Sequence, residues 1–331
     1  MKRTFAIGLF ALMLAQAGIG QTGLELTDLV RLAEAFRLAG AVQAKLWPGW
    51  ETAPFPVLLV TPAREFLARS VGVPSGFGRE GYSGILQAEL WSRSRQFDPG
   101  LLATFPAFGP PATIVIGTAE ATKKRSAEWV LTVLHEHFHQ YQMSDPVYFS
   151  AVRDLGLSGG DETGMWMLNY PFPYKSDAAA KNFAAMSRQL ADALTRPSEE
   201  GRRRFWRTYA GFLGTLSEPD SRYLSFQVWQ EGIARYVELR VAEIAADAYA
   251  PTTDFRSLPD FDEFAAVHAR MRGEILRQLA SPDLAGQQRV SFYAFGAGLA
   301  LLLDQEGNAW KGKYLADKFF VEKYSSCFNS C

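Results

Sequence analysis

Apolar positions along this chain change period near residue 125. Before it, short branched runs alternate with Pro and Gly. Residues 55–61 and 85–91 read as strands, with turns at 74–81 and 105–111. Pro111 to Thr118 is a third β-branched run, bounded by Pro111 and Gly117. In this half only residues 24–42 show helical spacing. Beyond residue 125 helical spacing dominates, over 126–143, 177–194, 198–213, 222–248, 261–279 and 309–322. The pattern predicts an α+β chain: a small N-terminal sheet lobe over 21–125 and a predominantly helical lobe over 126–331. No internal repeat or low-complexity segment appears.

The segment 126–143 contains no Gly or Pro and carries Trp129, Val130, Leu131, Val133, Leu134, Phe138 and Tyr141. That reads as a buried helix of about four to five turns. Within it stand His135, Glu136 and His139, polar groups whose burial is costly unless something compensates. Residues four apart share a helix face, so His135 and His139 can share a divalent cation at about 2.0–2.1 Å. Glu136, rotated off that axis, can hold a metal-bound water and act as general base, the H-E-x-x-H arrangement. With four histidines in 331 residues, chance gives this pattern on the order of 0.01 times. His137 points about 200° around the helix from His135 and cannot join that ion. It and His268 read as ordinary packed or surface histidines.

A catalytic zinc takes three protein ligands and leaves one position for water. Asp145 has the six-residue spacing of a known metalloprotease pattern, but Gln142 stands where that pattern needs Gly for positive φ. Glu162 lies in the Gly-rich loop 159–164 with no helical context. Glu231 lies inside the helical pattern 222–248, with Leu224, Val228, Ile233, Val237, Val241 and Ile244 on its buried side. Gly232 and Ala234 beside it are small, and a helical Gly costs about 0.5–1 kcal/mol relative to Ala. This suggests a close approach to the histidine helix. Glu231 is therefore the preferred third ligand.

His135-Glu136-x-x-His139, followed by Glu231-Gly232-Ile233-Ala234-Arg235-Tyr236-Val237-Glu238, resembles the gluzincin metallopeptidases. Their aminopeptidase branch carries E-G-F-A-x-Y-x-E at the third ligand. The resemblance implies a zincin-like fold and Zn²⁺ held by His135, His139 and Glu231, with Glu136 as general base. It covers the two site segments. Two features depart from the family: 92 positions separate His139 from Glu231, where those peptidases have a few tens, and the G-x-M-E-N segment that reads a free amino terminus is absent. The extra length is expected to form its own helices beside the site, and aminopeptidase specificity is not supported.

Hydrolysis needs a further donor for the developing oxyanion. Tyr293, 62 residues beyond Glu231 in a small-residue segment, is the candidate, as a tyrosine serves this role in similar gluzincins. Tyr223 and Tyr236 are fallbacks, and a core tyrosine is the plain alternative. Glu238 could anchor a ligand imidazole, or be merely salt-bridged; Asp304 is equally ambiguous. The run 111–118 takes the place of the edge strand on which gluzincins lay an extended substrate. The aromatic loop 171–174 could overhang the cleft.

Composition changes this picture little. Net charge is −1, so nothing draws the chain to nucleic acid, and Lys123-Lys124-Arg125 reads as a solvated loop. Residues 1–20 have the positive start, short apolar stretch and Ala15-Gln16-Ala17 site of a secretory signal peptide, shorter than the ~20 residues of a membrane span. The expectation is an exported protein, periplasmic or extracellular, without a membrane anchor after cleavage. Cys327 and Cys331 can close a local disulfide or pair elsewhere; they make no second metal site. The expected activity is zinc-dependent hydrolysis of a peptide or protein substrate. Hydrolysis of a non-peptide amide or ester, or a non-catalytic binding role on the same scaffold, are the alternatives.

Overall fold

The computed structural model describes residues 23–328, so the leader expected over 1–20 and Cys331 lie outside the described residues. Helix α1 (Leu26–Leu46) comes first. Six strands follow: β1 (Val57–Val60), β2 (Arg64–Ala68), β3 (Gly78–Ser83), β4 (Ala88–Ser94), β5 (Leu102–Phe105) and β6 (Thr113–Gly117). They form one mixed sheet in the order β3-β4-β2-β1-β6-β5. Its only parallel pair is β1 with β6, in register Val57 to Ile114. Alternate residues serve two cores. Val57, Leu59, Ile114 and Ile116 face the helices, while Leu58, Val60 and Val115 are covered by Phe77, Phe97, Phe105 and Phe108. Burial on both faces explains why β1 and β6 are continuously apolar.

That same burial corrects the expected edge strand. The run 111–118 supplies β6, an interior strand buried at every residue between β1 and β5. The edge beside the site is β5, half-exposed throughout and antiparallel to β6. Only four residues long and hemmed by Gly100 and Pro106, β5 was not read as a strand; β3 starts inside an expected turn and lacks branched residues.

Helices fill the rest: α2 (Ser126–Ser144), α3 (Tyr148–Asp154), α4 (Trp166–Asn169), α5 (Asp177–Thr195), α6 (Glu199–Thr215) and α7 (Glu218–Gln227). A π-helical turn, Val228–Gly232, joins α7 to α8 (Ile233–Ala248). Then come α9 (Thr253–Arg256), α10 (Phe264–Ala280), α11 (Leu284–Gln287) and α12 (Ser291–Glu306). Helix α1 packs against α2 and α8, so the main core runs continuously from the sheet into the helices. The long interval between His139 and Glu231 forms α3 to α7. No described helix is long and apolar enough to cross a membrane.

Two expectations fail here. Residues 309–322 do not make a helix but hold two 3₁₀ turns, Asn308–Lys313 and Val321–Tyr324. Their aromatics are spent on tertiary contacts: Tyr314 stacks on Trp229 at 4.4 Å and donates its hydroxyl to the Trp229 carbonyl at 2.7 Å. The aromatic loop 171–174 does not overhang a cleft either. Phe172 and Tyr174 are buried, with Phe172 edge-on to Phe292 at 5.2 Å, because burying large rings outweighs leaving them in water.

Candidate metal centre

Helix α2 is fixed before it presents any chemistry. Asp260 takes hydrogen bonds from the Ser126 backbone N–H (2.9 Å) and hydroxyl (2.6 Å), satisfying an otherwise orphaned N-terminal donor. The Trp129 indole donates to the Gly117 carbonyl at 2.8 Å, tying α2 to β6. Gly117 is required there, since a Cβ would fall 1.7 Å from the Pro99 carbonyl oxygen.

On one face of α2 the Nε2 atoms of His135 and His139 stand 3.2 Å apart. His135, Glu136 and His139 each offer a ligand atom within 4.8 Å of the others, a group able to hold a metal ion. Glu231 joins them from the π turn: its Oε2 is 3.8 Å from His135 Nε2 and 3.5 Å from His139 Nε2. Three donors around a tetrahedral ion with bonds of about 2.0–2.1 Å sit roughly 3.4 Å apart. The observed spacings bracket that value, so the donor set fits a small tetrahedral cation.

Glu231 reaches this point through helix irregularity. The π turn inserts an extra residue per turn, a device common at functional sites. Gly232 then meets α12 rather than α2: a Cβ on Gly232 would lie 2.5 Å from Gly296 Cα. The small residue thus serves a different crossing from the one the sequence suggested. Two helix backbones in contact can be reached only by glycine on both sides. Their contact brings Tyr293, three residues before Gly296, to the same end of the site.

Behind the imidazoles lies a layer that the sequence reading did not find, apart from Glu238. Gln142 Oε1 is 2.6 Å from His139 Nδ1 and accepts its proton, leaving the Nε2 lone pair facing the site. The same amide donates to the Gln230 carbonyl of the π turn and to the Tyr314 hydroxyl, which in turn donates to the Trp229 carbonyl. One side chain therefore binds a histidine to the turn that carries Glu231. Its i,i+3 spacing from His139 was the available signal. Glu238 Oε2 stands 3.4 Å from His135 Nδ1, but Arg235 holds that oxygen more closely, at 2.6 Å. Thr104 of β5 donates to Glu136 Oε2 at 2.8 Å, joining the edge strand to the carboxylate.

Charge reinforces the fit. Burial opposes a charge on His135, yet the neighbouring carboxylates of Glu231 and Glu238 raise its imidazole to about 10. Burial likewise opposes ionisation of Glu231 and Glu238. His139 and His135 hold the first, and Arg235 and His135 the second, well below the usual carboxylate range. Two ionised carboxylates around two imidazoles call for a positive charge in their midst, which a proton or a divalent ion supplies. Burial and the Glu231 carboxylate push the Tyr293 phenol well above 10, so it stays a hydrogen-bond donor. Its ring centroid is 6.5 Å from that of His135. Arg289, also unforeseen, places Nη1 2.6 Å from the Tyr293 oxygen and 3.8 Å from Glu231 Oε1.

The other candidates go elsewhere. Asp145 ends α2 and pairs with Lys318 at 2.8 Å; Glu162 is exposed in its loop. Tyr223 donates to the Met167 carbonyl (2.9 Å), and Tyr236 to Asp304 (2.6 Å), which also accepts from the Trp310 indole. His137 is fully buried, stacked on Phe55 at 3.6 Å, and His268 sits half-buried on α10. Cys327 is half-buried, with its possible partner Cys331 outside the described residues. Comparison with protein-family models, curated proteins and solved structures finds no match.

Proposed function

We infer that this chain is an exported, zinc-dependent metallopeptidase of gluzincin type. The observation that carries the reading is the convergence of Glu231 Oε2 on the Nε2 atoms of His135 and His139, at 3.8 and 3.5 Å, from a position 92 residues downstream. Two imidazoles and a carboxylate oxygen drawn from distant segments to one point, at the spacing a tetrahedral cation needs, support a bound ion more than a purely structural contact. His135, His139 and Glu231 would hold the ion, which when bound supplies Lewis acidity toward a carbonyl and an acidified water.

The remaining steps belong to side chains. Glu136, oriented by Thr104, takes the proton of the attacking water on a carboxylate oxygen and returns it to the leaving amine. Tyr293 donates its phenolic hydrogen to the oxyanion as it develops. The outer side of β5, which pairs only with β6 in the sheet, offers main-chain groups to an extended peptide. Its link to Glu136 through Thr104 favours a peptide over other amides or esters.

The test is zinc stoichiometry of the purified chain, followed by turnover of a mixed peptide library. Glu136→Gln should keep one zinc and lose about 10²–10⁴-fold in rate. Glu231→Ala should lose zinc. Normal zinc in Glu231→Ala would reject the ligand set. Zinc without peptide turnover in the wild type would favour a non-peptide hydrolase or a binding role.

A further inference from the structure

Arg289 stands beside this site with most of its hydrogen-bonding capacity unused. It lies in the 3₁₀ turn Gln288–Val290 before α12, four residues ahead of Tyr293 and on the same face. Only Nη1 is engaged, with the Tyr293 oxygen; its approach to Glu231 Oε1 is 3.8 Å. A guanidinium serving only to neutralise Glu231 would close on it bidentately, at about 2.7–2.9 Å. Instead Nε and Nη2 make no hydrogen bond among the described residues, and the side chain keeps 26% of its surface open. A half-buried guanidinium fork with Nε and Nη2 unpaired among the described residues is well placed to bind a carboxylate, whose planar geometry it matches.

Position sets which carboxylate. If the scissile carbonyl oxygen meets Tyr293, the next residue of the substrate begins one Cα step of about 3.8 Å farther on. Arg289 is one hydrogen bond from Tyr293 and covers that distance. We propose that Arg289 is a specificity-determining residue that binds a carboxylate one residue beyond the scissile bond, making peptides with a free C-terminal carboxylate the preferred substrates. An acidic side chain on that residue would present the same chemistry from a second source. This rests on the peptidase reading, but its readout does not require turnover.

The test uses zinc-loaded Glu136→Gln, which binds substrate without cleaving it. Three sets of mixed N-acetylated tripeptides are equilibrated with it by dialysis and retention is read by mass spectrometry: free acids, C-terminal amides, and amides ending in an Asp residue. Free acids should be retained about tenfold or more over plain amides. With Arg289→Gln added, that ratio should fall to about one at unchanged zinc content, and with Arg289→Lys to an intermediate value. Retention of the Asp amides in place of the acids would assign the carboxylate to a side chain. Equal retention of all sets, no retention of any, or a preference surviving Arg289→Gln would overturn the proposal. Missing zinc in Glu136→Gln would sink the peptidase reading itself, separately from the carboxylate preference.

Discussion

Helix α2 carries two histidine environments built from one local rule. On one face His139 Nδ1 meets Gln142, and on another His137 Nδ1 meets Gln140 at 2.7 Å, each glutamine three residues ahead. The resemblance stops there. Gln140 sends its amide to the Pro56 and Ala112 carbonyls of the sheet lobe, while Gln142 sends its amide to the π turn. The second nitrogen of His137 is taken by Gln43 and its ring by Phe55, whereas the second nitrogen of His139 faces Glu231. Burial, aided by the Arg69 charge and opposed by Gln140, pushes His137 down to about 3, and carboxylates lift His135 to about 10. What separates a structural imidazole from a candidate metal ligand here is the chemistry of the facing element.

The sharpest way to break this contrast is exchange. His139→Phe should abolish stoichiometric zinc binding, and His137→Phe should leave it intact, as read by metal analysis after dialysis. Equal loss in both would mean the two faces are not distinct. One layer further out, Gln142→Leu should weaken zinc binding about 10–100-fold, the usual cost of losing an outer partner of a ligand histidine. Gln140→Leu should leave zinc affinity unchanged and instead lower stability by about 1–3 kcal/mol, since two carbonyls lose their donor. Competition with a chelator and a urea titration separate these outcomes.

Acid should discriminate the faces as well. His137 is neutral in the fold at about pKa 3 against an ordinary 6.5, so the unfolded chain binds the extra proton between those values. Stability therefore falls as pH drops through that window, by roughly 2–3 kcal/mol between pH 7 and 4.5. In zinc-free protein, His137→Phe should flatten that part of the slope while costing about 1–3 kcal/mol at pH 7 for the stranded Gln43 and Gln140. An unchanged slope would show that His137 takes up its proton at the same pH in the fold as in the unfolded chain. A change of comparable size is expected at the helix crossing. Gly232→Ala should destabilise by about 1–3 kcal/mol through contact with the Gly296 backbone. It should also weaken zinc binding, because Glu231 is its neighbour; zinc affinity unmoved by this change would uncouple the crossing from the site.

The parts of the site that were legible in sequence are those whose geometry is local. His135, Glu136 and His139 follow from helix periodicity, and His137 is turned away by the same arithmetic. Glu231 was singled out by its helical context and small neighbours and then by the gluzincin resemblance, although the reason offered for Gly232 was wrong, because sequence does not say which helix a small residue admits. Gln142 was considered only as an obstacle to a turn. Arg289 and Thr104 carried no signal, since a single Arg or Thr resembles any surface residue until the fold gives it a neighbour.

By itself the amino-acid order determined the elements with long, regular periodicity, the pair of imidazoles on one face of α2, and the division into a strand-rich and a helix-rich part. Those features depend on contacts within a few residues. Only the tertiary structure decided that β5 rather than β6 is the edge, that a π turn aims Glu231, and that α12 seats against Gly232. Each of these is a contest between distant segments for the same buried space, settled by packing and hydrogen-bond satisfaction across the whole core.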